Sequence, residues 1–281
     1  MTRRHLLSAA PATLAFAASS SGQNISRQNK GRLKQSVARW CYSSLSLDEL
    51  CRAAAGMGLA AIDLVAPEDA PTLKKYGLVP AMILPGGGTI PDGLNRRENH
   101  ALIEDELRRR IPLAAAVGAP NIITFSGNRR GLGDEQGLET CAIGLNRVKR
   151  IGEDHGVTIC LELLNSKVDH KDYQCDHTAW GVELVKRVNS PRVKLLYDIY
   201  HMQIMEGDIL RTIRDNIQYI AHFHTGGVPG RHELDDTQEL NWRTVARAIA
   251  DLGFSGYVAH EFVPLHDPLV SLRQAVELCT V

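Results

Sequence analysis

From about residue 35 onward, short apolar runs alternate with longer segments in which apolar residues recur near a 3.6-residue period. Short apolar runs bounded by turn residues predict β-strands, and the periodic segments predict helices. The runs that predict strands cover residues 36–42, 61–65, 79–84, 121–125, 157–161, 193–197, 219–223 and 256–259.

The intervening segments carry helix start and stop signals. Ser46 and Glu49 have the spacing of a capping box at the start of the first helix. Gly118, Gly156 and Gly253 each follow a helical pattern and precede a strand, as expected of a left-handed terminating residue. The remaining helices are predicted at residues 98–117, 135–155, 177–189, 208–216, 241–252 and 268–278.

Eight strand–helix alternations in one chain predict an α/β protein of (β/α)8 TIM-barrel architecture, with residues 36–281 as a single domain. An open doubly wound sheet is the alternative fold. That fold usually carries a G-x-G-x-x-G dinucleotide loop, and none follows any predicted strand. The barrel is therefore the favoured architecture.

The first residues differ in character from the rest of the chain. Residues 1–22 combine Arg3 and Arg4 with a short run rich in Ala and Ser, which predicts a twin-arginine signal peptide and export to the periplasm. The run is too short and too polar to span about 30 Å of hydrocarbon, so no stable membrane anchor is predicted. Residues 23–35 form a polar linker. If residues 1–22 are an ordinary N-terminal segment, the location is cytoplasmic.

Composition narrows the classes of partner. The 281 residues are 44% hydrophobic, and 32 basic residues balance 32 acidic ones, so the formal net charge is zero. This composition excludes a disordered chain and argues against nucleic-acid binding, which needs a basic excess. The six cysteines form no C-x-x-C pair and are interpreted as small buried thiols. A small-molecule ligand is expected, and homo-oligomer formation is left open.

The last four predicted strands each finish on a side chain that can bind a metal: Glu162, Asp198, His224 and Glu261. In a barrel, the carboxyl ends of the strands meet at the face that carries the chemistry. Three carboxylates and an imidazole cannot share that volume as bare charges, because like charges raise one another's pKa. A divalent cation resolves the conflict, and this donor set suits Mn²⁺, Mg²⁺ or Co²⁺.

The chain has 11 histidines, and their roles are expected to differ with their positions. His222 and His224 share one face of a strand, and the more terminal His224 is the better ligand. His260 points to the opposite face from Glu261 and is interpreted as structural. His201 leaves the sixth strand in a loop and is predicted to bind substrate. Four others fall in the signal or on helices and are expected at the surface: His5, His100, His155 and His177.

Glu162 and Glu261 are expected to face each other across the barrel mouth as an acid–base pair. A small hydroxy-carbonyl compound bound between them would lose a proton from the carbon beside its carbonyl, giving an enediolate. Return of the proton to the neighbouring carbon is isomerisation. Its return to the same carbon from the opposite face is epimerisation.

Several segments resemble the hydroxypyruvate isomerase branch of the xylose isomerase-like TIM barrels. They are Leu161-Glu162 with Asn165 and Asp169, Tyr197-Asp198 with His201, the run Gly227 to Glu233, and His260-Glu261-Phe262. The resemblance implies that Glu162 and Glu261 transfer protons, that Asp198 binds a metal ion and that Arg231 contacts substrate.

His224 departs from that branch, in which Gln is expected at the end of the seventh strand. A histidine there resembles the ketose 3-epimerases of the same superfamily, so epimerisation of free sugars is the alternative function. An export signal fits free sugars better than hydroxypyruvate, which is an intracellular metabolite. Two further classes stay open: a non-catalytic sugar-binding barrel, and a metal-dependent abasic-site endonuclease, which needs several metals, more histidines and a basic surface.

Overall fold

The computed structural model describes residues 31–85 and 87–281, so the predicted signal peptide and most of the predicted linker lie outside the described residues. Eight strands form one parallel sheet in the order β3-β2-β1-β8-β7-β6-β5-β4. The strands are β1 Lys34–Ala38, β2 Ala61–Asp63, β3 Val79–Pro80, β4 Asn121–Thr124, β5 Thr158–Glu162, β6 Val193–Asp198, β7 Ile220–Thr225 and β8 Tyr257–His260.

Helices alternate with these strands, which confirms the predicted α/β class. They are α1 Leu47–Met57, α2 Ala70–Lys74, α3 His100–Ala116, α4 Asp134–His155, α5 Thr178–Val188, α6 Ile199–Met205, α7 Ile209–Asn216, α8 Trp242–Asp251 and α9 Pro268–Cys279. The curled sheet brings its two edges together at one isolated parallel bridge, between Ile83 and Ile122.

The helix signals act as the sequence predicts. The Ser46 hydroxyl accepts from the Glu49 backbone N–H at 3.2 Å, and the Glu49 carboxylate accepts from the Ser46 N–H at 2.8 Å. Gly118, Gly156 and Gly253 adopt φ values of 77°, 69° and 71°, the left-handed region that a residue without Cβ enters at least cost.

Two apolar layers hold the fold together. The larger fills the space between the sheet and the surrounding helices. The smaller lies inside the curled sheet and contains one side chain from each of six successive strands or strand ends: Ala38, Leu64, Met82, Ile123, Cys160 and Leu196. All six cysteines are free and five are buried, as predicted. Within the described ranges, no helix is both long and apolar enough to cross a bilayer.

The structure differs from the sequence-based expectations in places. The first strand begins at Lys34 and ends at Ala38, and Arg39–Tyr42 forms a 3-10 turn. His100 was expected at the surface, but this was wrong: its side chain is buried and Nε2 lies 2.8 Å from the Leu94 carbonyl oxygen. It occupies the inner face of α3 with Ile103 and Leu107, where helical spacing places it.

Candidate active site

The strand register brings four polar side chains to one end of the sheet. Glu162 and Asp198 are the last residues of β5 and β6, and Glu261 directly follows β8. Asp198 is paired in register with His224 of β7. Because side chains alternate across a strand, these four point into the same interior volume.

The four ligand atoms of these side chains lie within 4.8 Å of one another, and all four residues are buried. His224 is central to the group. Its Nδ1 is 2.7 Å from Glu261 Oε2, 3.3 Å from Glu162 Oε1 and 3.9 Å from Asp198 Oδ2. Across the described part of the chain, this Nδ1 has no aligned hydrogen-bond partner.

The charges of the cluster are unbalanced. Burial raises the pKa of Asp198 to about 7 and also raises the pKa of Glu162 above its ordinary value. Burial opposes the charged form of His224, but the nearby carboxylates, Glu261 above all and then Asp63 and Glu162, raise the pKa of this imidazole well above normal. The three carboxylates therefore attract a positive charge, either a proton on the imidazole or a metal ion that displaces it.

The donor set fits a divalent cation. Three carboxylate oxygens and one imidazole nitrogen are ligands that Mn²⁺, Mg²⁺ and Co²⁺ accept. The unpartnered Nδ1 of His224 faces the three carboxylates. An imidazole needs this orientation to bind the same ion as the carboxylates do. Glu162, Asp198, His224 and Glu261 are thus the larger of two groups of described residues that could hold a metal; the smaller consists of Asp63, His222 and His224.

Among the described residues, Arg231 carries the one guanidinium that contacts these carboxylates. Its Nη2 lies 3.1 Å from Asp198 Oδ2 and contacts Glu261 Oε2. The guanidinium also stacks near the rings of Trp40 and Tyr200, at 5.4 and 5.3 Å from their centroids. Burial opposes ionisation of Glu261, but the charges of Arg231 and His224 hold the pKa of this carboxyl well below normal.

His201 belongs to the first turn of α6, a helix that the sequence-based prediction of a loop missed. Asp198 caps this helix by accepting from the His201 backbone N–H at 3.2 Å. Asn165 Nδ2 lies 2.7 Å from His201 Nδ1, so Nδ1 accepts and the ring proton stays on Nε2. That Nε2 has no hydrogen-bond partner in residues 31–85 and 87–281 and lies 3.6 Å from Asp198 Oδ2.

A cavity of about 380 Å³ opens above Glu162, Glu261 and Arg231. Its polar groups lie at the carboxylate cluster, and His170 of the β5–α5 loop also reaches it. The rest of its wall is aromatic and aliphatic: Trp40, Leu64, Leu84, Pro85, Ile90, Ile123, Phe125 and Leu164. A cavity of this size suits a small polar molecule whose reacting end meets the carboxylates.

Sequence reasoning did not find Trp40 or Asp63. Trp40 Nε1 donates to Glu261 Oε1 at 2.6 Å, although 45% of this residue is exposed. Asp63, at the end of β2, contacts His222 and His224 and is fully buried. Its only signal in the sequence is a charge inside the apolar run Ala61–Val65, which is unusual for a buried strand. His260 is buried and bonded to Gln35 and Thr225, away from the cluster, as a structural role requires.

Comparison with known proteins agrees with the fold. A profile of the xylose isomerase-like TIM barrel family matches residues 51–278, and the chain belongs to this family. A human protein whose name assigns it provisionally to hydroxypyruvate isomerase is 24% identical over 83% of this chain and 80% of its own length. A D-psicose 3-epimerase from Ruminiclostridium cellulolyticum is 35% identical over 42% of this chain and 38% of its own length.

Among solved structures, one titled AP endonuclease, family 2, from Brucella melitensis matches with a TM-score of 0.75 and 26% identity. The match covers 85% of this chain and 97% of that chain. Some curated matches are partial, and the chain spans 50% of the length of a zebrafish relative that carries the same name as the human protein. Together the relatives place the chain among isomerase-type enzymes, as the sequence predicts.

Proposed function

We propose that this protein is a metal-dependent isomerase that interconverts hydroxypyruvate and tartronate semialdehyde, or a similar small hydroxy-carbonyl pair. The observation that carries the proposal is the convergence of Glu162, Asp198, His224 and Glu261, two of which, Glu162 and Glu261, line the polar end of an otherwise apolar cavity. The human and zebrafish relatives whose names refer to hydroxypyruvate isomerase support the substrate class.

The side chains of this site divide the chemistry among them. Glu162 lines the cavity and takes a proton from the carbon next to the substrate carbonyl, giving an enediolate. The same carboxyl, or Glu261 across the site, returns the proton to the neighbouring carbon, while the proton of the substrate hydroxyl moves to the former carbonyl oxygen. His201 Nε2–H, 3.6 Å from Asp198 Oδ2, is the donor proposed for a substrate oxygen, although its ring is fully buried and does not line the cavity. Glu162, Asp198, His224 and Glu261 would hold a divalent ion, which would supply charge stabilisation for the substrate oxygens as they become negative.

Ketose 3-epimerisation is the second candidate, because of His224. The resemblance of the sequence associates a histidine at this position with ketose 3-epimerases, and a D-psicose 3-epimerase is among the relatives. The same acid–base groups serve this reaction when the proton returns to the carbon it left, from the opposite face.

The test is proton exchange in deuterated water. The purified protein, loaded with Mn²⁺, is incubated with hydroxypyruvate and, separately, with a panel of free ketoses. The reactions are then stopped with chelator and the products followed by proton NMR. Tartronate semialdehyde establishes the isomerase. Deuterium at carbon 3 of a ketose, with inverted configuration, establishes the epimerase instead.

Two controls make the result specific. Glu183→Gln alters an exposed carboxylate on α5, far from the cavity, and should retain full exchange. An oligonucleotide with an abasic site should stay intact, since the formal net charge of zero gives no attraction to phosphates. Absence of exchange in every substrate would contradict both candidate reactions and favour a sugar-binding barrel.

We also propose export by the twin-arginine route, which rests on Arg3, Arg4 and the short apolar run after them. Cell fractionation of the full chain, compared with an Arg3→Lys, Arg4→Lys double variant, tests it. Retention of both proteins in the cytoplasm would contradict export.

A further inference from the structure

One carboxylate in the interior is not used by the proposed chemistry. Asp63 ends β2 and is paired in register with Ala38 of β1, on the far side of the sheet from β6 and β5. It is fully buried, and its carboxylate is 0% exposed. A buried charge of this kind is costly unless other groups are held against it.

The contacts of Asp63 are two histidines of β7. Oδ2 lies 2.9 Å from His224 Nε2, with hydrogen-bond alignment, and Oδ1 lies 3.1 Å from His222 Nε2. His224 therefore touches Asp63 with one ring nitrogen and faces Glu162, Asp198 and Glu261 with the other.

This arrangement decides which nitrogen of His224 can bind an ion. An ionised carboxylate only accepts hydrogen bonds, so Nε2 must carry the ring proton. The lone pair of the neutral ring then lies on Nδ1, the atom directed at the three carboxylates. Histidines that bind metals commonly donate their other ring N–H to a carboxylate, which fixes both tautomer and orientation.

We propose that Asp63 is the positioning residue of the metal site: it holds His224 as the Nε2–H tautomer with Nδ1 directed at the ion. The inference rests on the metal site of the proposed function and adds a residue to it. Asp63 acts through His224 and touches neither ion nor substrate.

His222 offers a matched comparison, because it contacts the same carboxylate and lies two residues earlier on the same strand. Within the described chain its Nδ1 has no hydrogen-bond partner, and its side chain belongs to no group that includes Glu162, Asp198 or Glu261. A change at His222 therefore disturbs the surroundings of Asp63 without removing any of the four ligands of the proposed site.

The test measures Mn²⁺ binding by electron paramagnetic resonance, with the metal alone as probe. Asp63→Asn keeps the side-chain shape and removes the charge, and should weaken Mn²⁺ binding about 10- to 100-fold. His222→Gln should bind Mn²⁺ close to the wild-type affinity. In a His224→Gln background, Asp63→Asn should cause no further loss, because a residue that acts through His224 has nothing left to orient.

Each outcome has a definite meaning. Wild-type affinity in Asp63→Asn, additive losses in the double variant, or an equal loss in His222→Gln would overturn the positioning role and leave the metal site standing. Failure of the wild-type protein to bind Mn²⁺ would overturn the metal site itself and this inference with it. Circular dichroism and thermal unfolding establish that each variant is folded.

A second measurement needs no variant of Asp63. In wild-type protein loaded with Mg²⁺, ¹⁵N NMR of the imidazoles, assigned by comparison with His224→Gln, should show a proton on Nε2 of His224 and none on Nδ1. A proton on Nδ1 in the loaded protein would overturn the proposal even if Asp63→Asn fails to fold.

Discussion

At the residue scale, the two glutamates of the site have unequal surroundings. Both oxygens of Glu261 are engaged, Oε1 by Trp40 and Oε2 by Arg231 and His224. Glu162 contacts His224 through Oε1 at 3.3 Å and otherwise faces the cavity. Burial raises the pKa of Glu162, whereas Arg231 and His224 overcome burial to lower that of Glu261. Glu162 is therefore the better proton carrier and Glu261 the better permanent anion.

This asymmetry separates two substitutions. Glu162→Gln should reduce deuterium exchange about 10²- to 10⁴-fold at saturating Mn²⁺, because the general base is lost. Glu261→Gln should weaken Mn²⁺ binding more than Glu162→Gln does, because it removes the carboxylate closest to His224 and leaves Arg231 with one fewer partner. Exchange assays and Mn²⁺ titrations of both variants check this, and the reverse order of Mn²⁺ affinities would contradict it.

The sequence allowed the four candidate ligands to be predicted because each comes at the end of an apolar run. The barrel brings these strand ends close together. Asp63 lies inside its apolar run and not at the end of it, and its partner His224 is 161 residues away, so only the folded sheet brings the two together. His100 is different, since its spacing to Ile103 and Leu107 already placed it on the inner face of α3. The polarity of histidine favoured a surface position, and the helical spacing was the better guide to its burial.

At the scale of elements, two loops at the carboxyl ends of the strands are joined through Asp176. Arg129, in the β4–α4 loop, binds both of its carboxylate oxygens, at 3.1 and 2.8 Å. Ser166 and His177, from the β5–α5 loop, donate to it as well, at 2.5 and 2.8 Å. These hydrogen bonds outweigh burial and lower the pKa of Asp176 below its ordinary value.

The lowered pKa has a defined effect on stability. A carboxyl with a lower pKa in the folded protein stabilises it above the unfolded pKa of about 3.9 and loses this contribution as the pH falls through the folded value. Asp176→Asn should lower the free energy of unfolding by about 1–3 kcal/mol at pH 7. The difference from wild type should hold down to about pH 4 and shrink below it.

Urea unfolding between pH 7 and pH 3 measures this difference. Asp215→Asn, at an exposed position of α7, is the control and should change little. A gap between wild type and Asp176→Asn that widens on acidification would show that Asp176 does not stabilise the fold as a carboxylate.

Helices and strands with strong periodicity could be predicted to within a few residues, and short elements less well. The prediction at residues 79–84 found the start of strand β3 but extended past its two residues. The five-residue helix α2 was not predicted, because it carries too few positions for a period to show. Helix α6 was missed because its start depends on the Asp198 cap, and Asp198 already marks the end of β6.

At the scale of the whole molecule, the described fold is held by apolar burial without disulfides. The eight strand–helix alternations in the sequence predicted this architecture. They did not show where the edges of the sheet meet, because a single bridge between Ile83 and Ile122 leaves no local pattern. Burial keeps the thiols protonated: it raises the pKa of Cys279 to about 12 and raises those of Cys141 and Cys160 as well.

Thiol reactivity reports on this burial. Native protein treated with a disulfide reagent at pH 8 should release at most one equivalent, from the half-buried Cys41, and all six equivalents after unfolding in urea. Cys41→Ser should abolish the native reaction. Rapid release of two or more equivalents from the folded protein would show that the interior opens far more readily than its packing indicates.

The hydrogen bond from Trp40 to Glu261 has an optical consequence. The other two tryptophans, Trp180 and Trp242, are buried among the helices, whereas Trp40 is partly open to solvent and its indole N–H donates to the Glu261 carboxylate. Any ion or substrate that changes the charge on Glu261 changes the polarity around this one ring. The protein thus contains an intrinsic fluorophore at its own cavity, and its emission can follow ligand titrations without a label.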